Sequence, residues 1–299
     1  MKEIKIVIDS ICLGDTLSWI PFVDKLQKET NHKVYLACNY SDLFEKEYKN
    51  IHFVKADETY LINQIKHNPD YMLATSTLPY NWQTMPQQKI ASDILDIKYK
   101  EIKPKVTVPD KPRNIMGKYV TIACHSTAQL KYWNNFDGWQ EVVDFLRSEG
   151  YNVVCIDKHR VFGAEDISMV NGIPNRVIDK TSSNLTLFDR MIDLKYADFH
   201  IGLASGLSWL SWAVGTHVHV ISGFSTTDEL FKSGITKSLP TSKDICQGCW
   251  NSKDFNWIKN RHDWGVCPEH KDTPRQFECS KSITGEQVIN DIKKLIKKN

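Results

Sequence analysis

Four cysteines fall within the run CQGCWNSKDFNWIKNRHDWGVCPEHKDTPRQFEC, residues 246 to 279, at the spacing C-x2-C-x17-C-x11-C. Four thiols, one pair of them two residues apart, can wrap one tetrahedral metal ion in closed coordination, as structural sites do. Cys246, Cys249, Cys267 and Cys279 are therefore candidate metal ligands. His262 and His270 lie near enough in sequence to replace one of them, and a pair of disulfides or free thiols would satisfy the same spacing. A finger that reads nucleic acid is the weakest reading. The run carries five acidic and five basic residues, and the whole chain has a net charge of only +2.

Three further segments could do chemistry. LGDTLSWIP, residues 13 to 21, sets Asp15 between a first strand and a first helix. There the carboxylate can act as a base or simply cap the helix. HSTAQLKYWN, residues 125 to 134, offers the hydroxyls of Ser126 and Thr127 and the ammonium of Lys131, a set that suits a phosphate. A solvated loop lysine is the plainer alternative. ASGLSWLSWAVG, residues 204 to 215, follows another strand and opens a helix. Ser205, Gly206, Leu207 and Ser208 would bring small side chains and free amides to that helix start, where an anion binds readily. Neither GxGxxG nor a P-loop occurs here, and a tight turn chosen for packing fits as well. One carboxylate and one phosphate cradle together suit group transfer from a nucleotide-activated donor.

The elements that must hold these residues alternate between strand and helix. EIKIVIDS, KVYLAC, IHFVKA and DYMLAT read as strands, with helical periodicity in LSWIPFVDKLQKE, SDLFEKEYK and ETYLINQIKHN between them. The pattern lapses at KYKEIKPKVTVPDKPRN, where Pro104, Pro109 and Pro112 break any regular element. It resumes with the strands YVTIACHST, YNVVCID, DFHIGL and HVHVISG and the helices GWQEVVDFLRSEG and LTLFDRMIDLKYA, and ends on the helix GEQVINDIKKLIKK. The expected architecture is α/β, two Rossmann-like domains facing a central cleft, over residues 1–112 and 113–299. The second would include the four-cysteine segment 246–279 and the C-terminal helix.

Composition narrows the class. The chain has 299 residues, 41% hydrophobic and 25% charged, the balance of a globular protein of two ordinary domains. No run reaches the roughly 18 to 20 apolar residues that span a membrane. The N-terminus MKEIKIVIDSICLGD lacks the pattern of a secretory leader, so a cytoplasmic location is expected. Thiols stay reduced there, which favours metal over disulfide at the cysteine run. Cys12, Cys38, Cys124 and Cys155 sit in or beside apolar strands, as small core residues do.

LGDTLSWIP resembles the GD-x-L-x-x-x-P loop of the ADP-heptose glycosyltransferases, a family 9-like group that includes the lipopolysaccharide heptosyltransferases. The Lys131 loop and the SGLSWLSWAVG turn are similar to segments that hold the donor diphosphate in that group. The turn reads ASGLSW here, where the lipopolysaccharide enzymes usually have D-T-G-L-S-H. With CQGCW and HDWGVCPEHKDTPRQFECSKSIT it looks instead like the bacterial autotransporter heptosyltransferases, over residues 4 to about 285.

The resemblance implies a GT-B enzyme that moves heptose from ADP-heptose to a serine of a secreted, adhesin-type protein. It implies Asp15 as catalytic base, Lys131 at the leaving diphosphate and Phe224 beside the nucleotide. It also implies iron, with zinc as the alternative, on the four cysteines, and a homo-oligomer. The chain starts at the first Rossmann strand, without the extra N-terminal domain of those enzymes, so the donor chemistry carries over better than the acceptor or the assembly. Another nucleotide sugar, a non-protein acceptor or an inactive binding module are the competing readings.

Overall fold

A strand with apolar side chains on both faces needs a layer packed on each side. In the first strand, β1 (Glu3–Asp9), Ile4, Ile6, Val7 and Ile8 are all buried. The computed structural model describes residues 2–55, 57–163, 171–252 and 267–296. His262 and the rest of 253–266 lie outside the described residues. No helix of the described residues is long and apolar enough to cross a membrane. The chain divides into two compact units, Met1–Pro109 with Glu229–Lys232, and Asp110–Asp228 with Ser233–Asn299.

In the first unit β1 pairs in parallel with β2 (Lys33–Cys38) and β4 (Tyr71–Ala74), and β2 pairs with β3 (Ile51–Phe53). The sheet order is β3-β2-β1-β4. Around it stand α1 (Leu13–Thr30), α2 (Thr59–His67) and α3 (Gln87–Ile94), the last of which the sequence pattern did not suggest. SDLFEKEYK, expected as a helix, is a 3-10 turn at Ser41–Leu43 followed by further turns. Its apolar side chains have another task. Leu43, Phe44 and Tyr48 are buried, and the Leu43 carbonyl and Tyr48 hydroxyl accept the amides of Thr107 and Lys105. They fasten the stretch in which Pro104 and Pro109 break the strand and helix pattern.

The second unit has the order β10-β9-β8-β5-β6-β7, all parallel. Its strands are β5 (Tyr119–Ile122), β6 (Asn152–Cys155), β7 (Ile178–Asp179), β8 (His200–Gly202), β9 (Val218–Ile221) and β10 (Ile235–Ser238). The helices are α4 (Gly138–Ser148), α5 (Leu187–Lys195), α6 (Gly206–Val214), α7 (Glu278–Lys281) and α8 (Gly285–Ile296). Trp133 is almost wholly buried, meets Trp139 edge-on at 5.3 Å and donates its indole N–H to the Ile283 carbonyl at 2.8 Å. That contact ties the loop after β5 to the turn before α8.

Strand order reverses once in each sheet. In the first, the chain builds outward from β1 to β2 and β3, then returns to place β4 on the other side of β1. In the second, β6 and β7 grow to one side of β5, and β8, β9 and β10 to the other. Neighbouring crossovers at such a reversal run over opposite faces, so a crevice opens at the carboxyl ends of β1 and β4, and of β5 and β8.

Two histidines of the second sheet are buried and uncharged. Burial pushes His200 down to about 3 and His219 to about 4, from an ordinary 6.5. His200 shares a hydrogen bond with Thr121, and His219 lies between Thr236 and Ser238. Below about pH 6.5 the unfolded chain binds protons at these sites that the folded chain refuses until pH 3 to 4. Stability should therefore fall as pH drops from 6.5 towards 4, and replacing both residues by glutamine should flatten that fall. Thermal midpoints over a pH series test this, and an unchanged slope in the double variant would refute it.

Candidate functional site

The reversal in the first unit presents Asp15. It sits in the first turn of α1, half-buried, where the positive end of the helix dipole favours an anion. Ser10, in the loop after β1, donates its hydroxyl to one carboxylate oxygen at 2.6 Å. The Gln87 side-chain amide, at the start of α3, donates to the other. Gln87 is fixed through its backbone, since its N–H donates to the Glu229 carbonyl at 2.9 Å and its carbonyl accepts from Trp19 at 3.1 Å. Sequence reasoning found Asp15 but not Gln87, whose segment carries no recognisable motif.

The reversal in the second unit lies between the loop after β5 and the turn after β8. Ser126 and Lys131 are half-buried on that loop and Thr127 is exposed. Asp157, just past β6, secures the loop at its root by accepting the amides of Cys124 at 2.6 Å and His125 at 3.2 Å. It also accepts from the Cys155 thiol at 3.4 Å. Burial raises the Asp157 carboxyl above its ordinary value, and these donors partly offset that. The ligand atoms of Cys124, Cys155 and Asp157 lie within 4.8 Å of one another. With both carboxylate oxygens already engaged, the group acts as a staple for the loop. His125 is buried beside it, its Nδ1 3.7 Å from Asp157.

Across the reversal, Ser205 is the extended residue before α6. The amides of Gly206, Leu207 and Ser208 begin the helix, where no intrahelical acceptor exists for them. Ser208 is fully buried and its hydroxyl donates to the Leu203 carbonyl at 2.6 Å. What it can offer an anion is thus its backbone amide. These amides and Lys131 thus follow the neighbouring strands β8 and β5, and they are groups of the kind that suit a diphosphate.

The cysteine segment lies against the Lys131 loop. Trp250, next to Cys249, has the Lys131 ammonium 5.6 Å from its ring centre, within cation–π range. Its amide donates to the Phe224 carbonyl at 3.1 Å and its ring packs on Phe224 at 5.4 Å. Phe224 is buried, so in this structure its ring serves to seat the cysteine segment. Gly223 accepts the Gly248 amide at 3.0 Å, and a Cβ on it would stand 2.5 Å from the Cys279 backbone. Only glycine permits that approach.

All four cysteines of the segment line one small cavity, with Leu130 from the phosphate-type loop in its wall. No disulfide joins any of the eight cysteines. Burial raises the Cys249 thiol strongly, Cys279, Cys267 and Cys246 adding to it, and burial pushes Cys279 up to about 12. Thiols gathered this way repel one another as anions, and a bound cation reverses that penalty. The donor set therefore fits a metal. Among the described residues, the group within 4.8 Å that includes one of these cysteines is Cys246 with His270 and Glu278. Hydrogen bonds from Arg275 hold Glu278 down at about 2, and it accepts the Cys246 amide at 2.9 Å, clasping the two ends of the segment.

No profile of a known protein family matches the chain. Individual relatives do. The autotransporter heptosyltransferase TibC of Escherichia coli O78:H11 is 37% identical over 293 residues, 95% of this chain and 69% of TibC. BAHTCr of Citrobacter rodentium, of the same description, is 36% identical over 306 residues, 98% of this chain and 71% of the relative. BimC of Burkholderia thailandensis, described as an inactive autotransporter heptosyltransferase, is 28% identical over 305 residues, 98% of this chain and 69% of BimC. The crystal structure of TibC, an iron-containing dodecameric glycosyltransferase, superposes with a TM-score of 0.87 at 34% identity, covering 100% of this chain and 77% of that one. TibC has also been solved in complex with ADP-D-beta-D-heptose, and that structure superposes equally well, at 0.87. At these identities and coverages, this chain belongs to the autotransporter heptosyltransferases.

Proposed function

We propose that this chain is a cytoplasmic GT-B enzyme that transfers heptose from ADP-heptose to a serine hydroxyl of a protein acceptor. Likeness along the whole chain to a protein solved with ADP-D-beta-D-heptose carries the reading. Asp15 and Lys131 at the two order reversals supply the chemistry it needs. Asp15 takes the proton from the acceptor hydroxyl as that oxygen attacks the anomeric carbon. The bond from that carbon to the diphosphate breaks, and ADP leaves with the added charge. Lys131, the hydroxyls of Ser126 and Thr127, and the amides of Gly206 to Ser208 receive that charge. Residues 1–112 form the acceptor side and residues 113–299 the donor side. The chain works as a homo-oligomer, as the dodecameric TibC does.

In this reading Cys246, Cys249, Cys267 and Cys279 hold iron, with zinc as the alternative ion. Four thiolates leave no open coordination position, so the ion crosslinks the segment. Through Trp250 and Leu130, the crosslink would hold the Lys131 loop in place.

Mass spectrometry of an adhesin-type acceptor incubated with enzyme and ADP-heptose should show heptose added at serine. Asp15→Asn should cut transfer by about 100-fold or more while ADP still binds in calorimetry. Transfer by that variant at the wild-type rate would sink the base assignment. A wild-type chain that binds ADP-heptose but transfers to no hydroxyl would instead fit an inactive module of the kind BimC is described to be.

Cys246→Ser should lower the metal per chain, measured by plasma mass spectrometry, and then reduce stability and transfer together. Metal retained in full would refute the four-ligand set.

A further inference from the structure

Asp15 is held from two sides by neutral donors, and the donor from α3 has a provenance of its own. Gln87 bonds one carboxylate oxygen of Asp15 and Ser10 the other. Its amide N–H is bound by the carbonyl of Glu229, first residue of the four-residue stretch Glu229–Lys232. That stretch belongs to the first unit, although the chain on both sides of it belongs to the second. The amide of Lys232 donates to the Glu101 carboxylate, fastening the far end of the same stretch. Trp19, buried on α1, holds the Gln87 carbonyl. Gln87 is therefore pinned at its backbone by two elements, which fixes the point from which its side chain starts. That side chain is aimed at Asp15.

We infer that Gln87 is the positioning residue for the catalytic carboxylate. It orients Asp15 towards the acceptor and, with Ser10, keeps it ionised, while the Glu229–Lys232 stretch sets where Gln87 stands. The inference rests on the reading of Asp15 as the base. A carboxylate that accepts two neutral hydrogen bonds stays ionised to lower pH and is confined to one rotamer. Each donor removed should cost both. Among the described residues, the titratable groups on the segments that meet here include Asp9 and Cys12 beside Ser10, Tyr40 with its hydroxyl on the Ile11 carbonyl, the Lys89–Asp93 pair of α3, and Glu229. Lys89→Ala alters the nearest charge pair on the same helix and serves as the control.

The test is the pH dependence of kcat with ADP-heptose and a serine acceptor. Gln87→Leu should lower kcat by about 10-fold and leave the KM for ADP-heptose within about two-fold, since the variant disturbs the base and not the phosphate corner. Loss of base form on acidification should set in at higher pH, so the acidic limb moves up. Gln87→Glu is isosteric and keeps the backbone bonds, so it decides the matter where Gln87→Leu melts early. A second carboxylate beside Asp15 should move the limb up by about one unit or more. Ser10→Ala should move it the same way by less, and Lys89→Ala not at all. An unmoved limb in Gln87→Glu, with wild-type kcat, overturns the inference. If Asp15→Asn turns over at the wild-type rate, the reading beneath it has failed, and that result is separate.

Discussion

A parallel sheet forces each connection to cross a face, and where the strand order reverses the two neighbouring crossovers must part. Both the carboxylate and the lysine proposed for the chemistry depend on that constraint, met twice. At the first reversal, β1 and β4 end beside the start of α1 and the start of α3, and this brings Ser10, Asp15 and Gln87 together. At the second, β5 and β8 end beside the loop that carries Lys131 and the first turn of α6. One corner gathers hydrogen-bond donors around a carboxylate, and the other gathers positive charge and free amides. The proposed base and the proposed diphosphate cradle would therefore arise from the same rule of sheet topology, without a nucleotide-binding glycine motif in either place.

Much of this was legible in the sequence because it rests on local pattern. Alternating and continuous apolar runs mark most of the strands, and glycine and proline mark where the series breaks. The residues flagged after β1, β5 and β8 stand at order reversals because loops at strand ends are where small and polar residues collect. What was not legible depends on distant pairing. Gln87 lies 72 residues from Asp15, on a helix that no pattern singled out. The strands β7 and β10 are short edge strands with little periodicity of their own. Glu229–Lys232 joins the first unit through backbone bonds at both ends and the buried Leu230 and Phe231, and a two-residue apolar run carries no sign of which unit it serves. SDLFEKEYK has helical spacing, yet its apolar residues are used to fasten a neighbouring stretch of chain, and tertiary demand overrides local propensity there.

Phe224 shows the same limit from the other side. A buried aromatic just past a central strand reads equally well as a nucleotide contact or as packing, and its type cannot separate the two. The structure shows its carbonyl accepting the Trp250 amide and its ring packed on that indole. The cysteine segment is thus seated on the end of β9 by backbone bonds at Gly223 and Phe224, and by the absence of a side chain at Gly223.

That seating changes what a structural ion would mean for catalysis. A crosslink remote from the site would add stability alone, and its loss would lower activity only by unfolding protein. Here Trp250 lies one residue from a thiol and within reach of the Lys131 ammonium, while Leu130 lines the cavity that the thiols share. A lysine has several rotatable bonds and gains little by binding phosphate unless it is already held near the place where charge develops. The indole restrains the ammonium and the apolar wall restrains the loop, so in the proposed reading part of the ordering cost would be met before a nucleotide binds. A loosened segment would then free Lys131 well before the sheet itself came apart, because Val120, Ile122, Val153 and Ile201 pack in a core that does not include the four cysteines. In the proposed reading the ion would do none of the chemistry and would still set how firmly Lys131 is held.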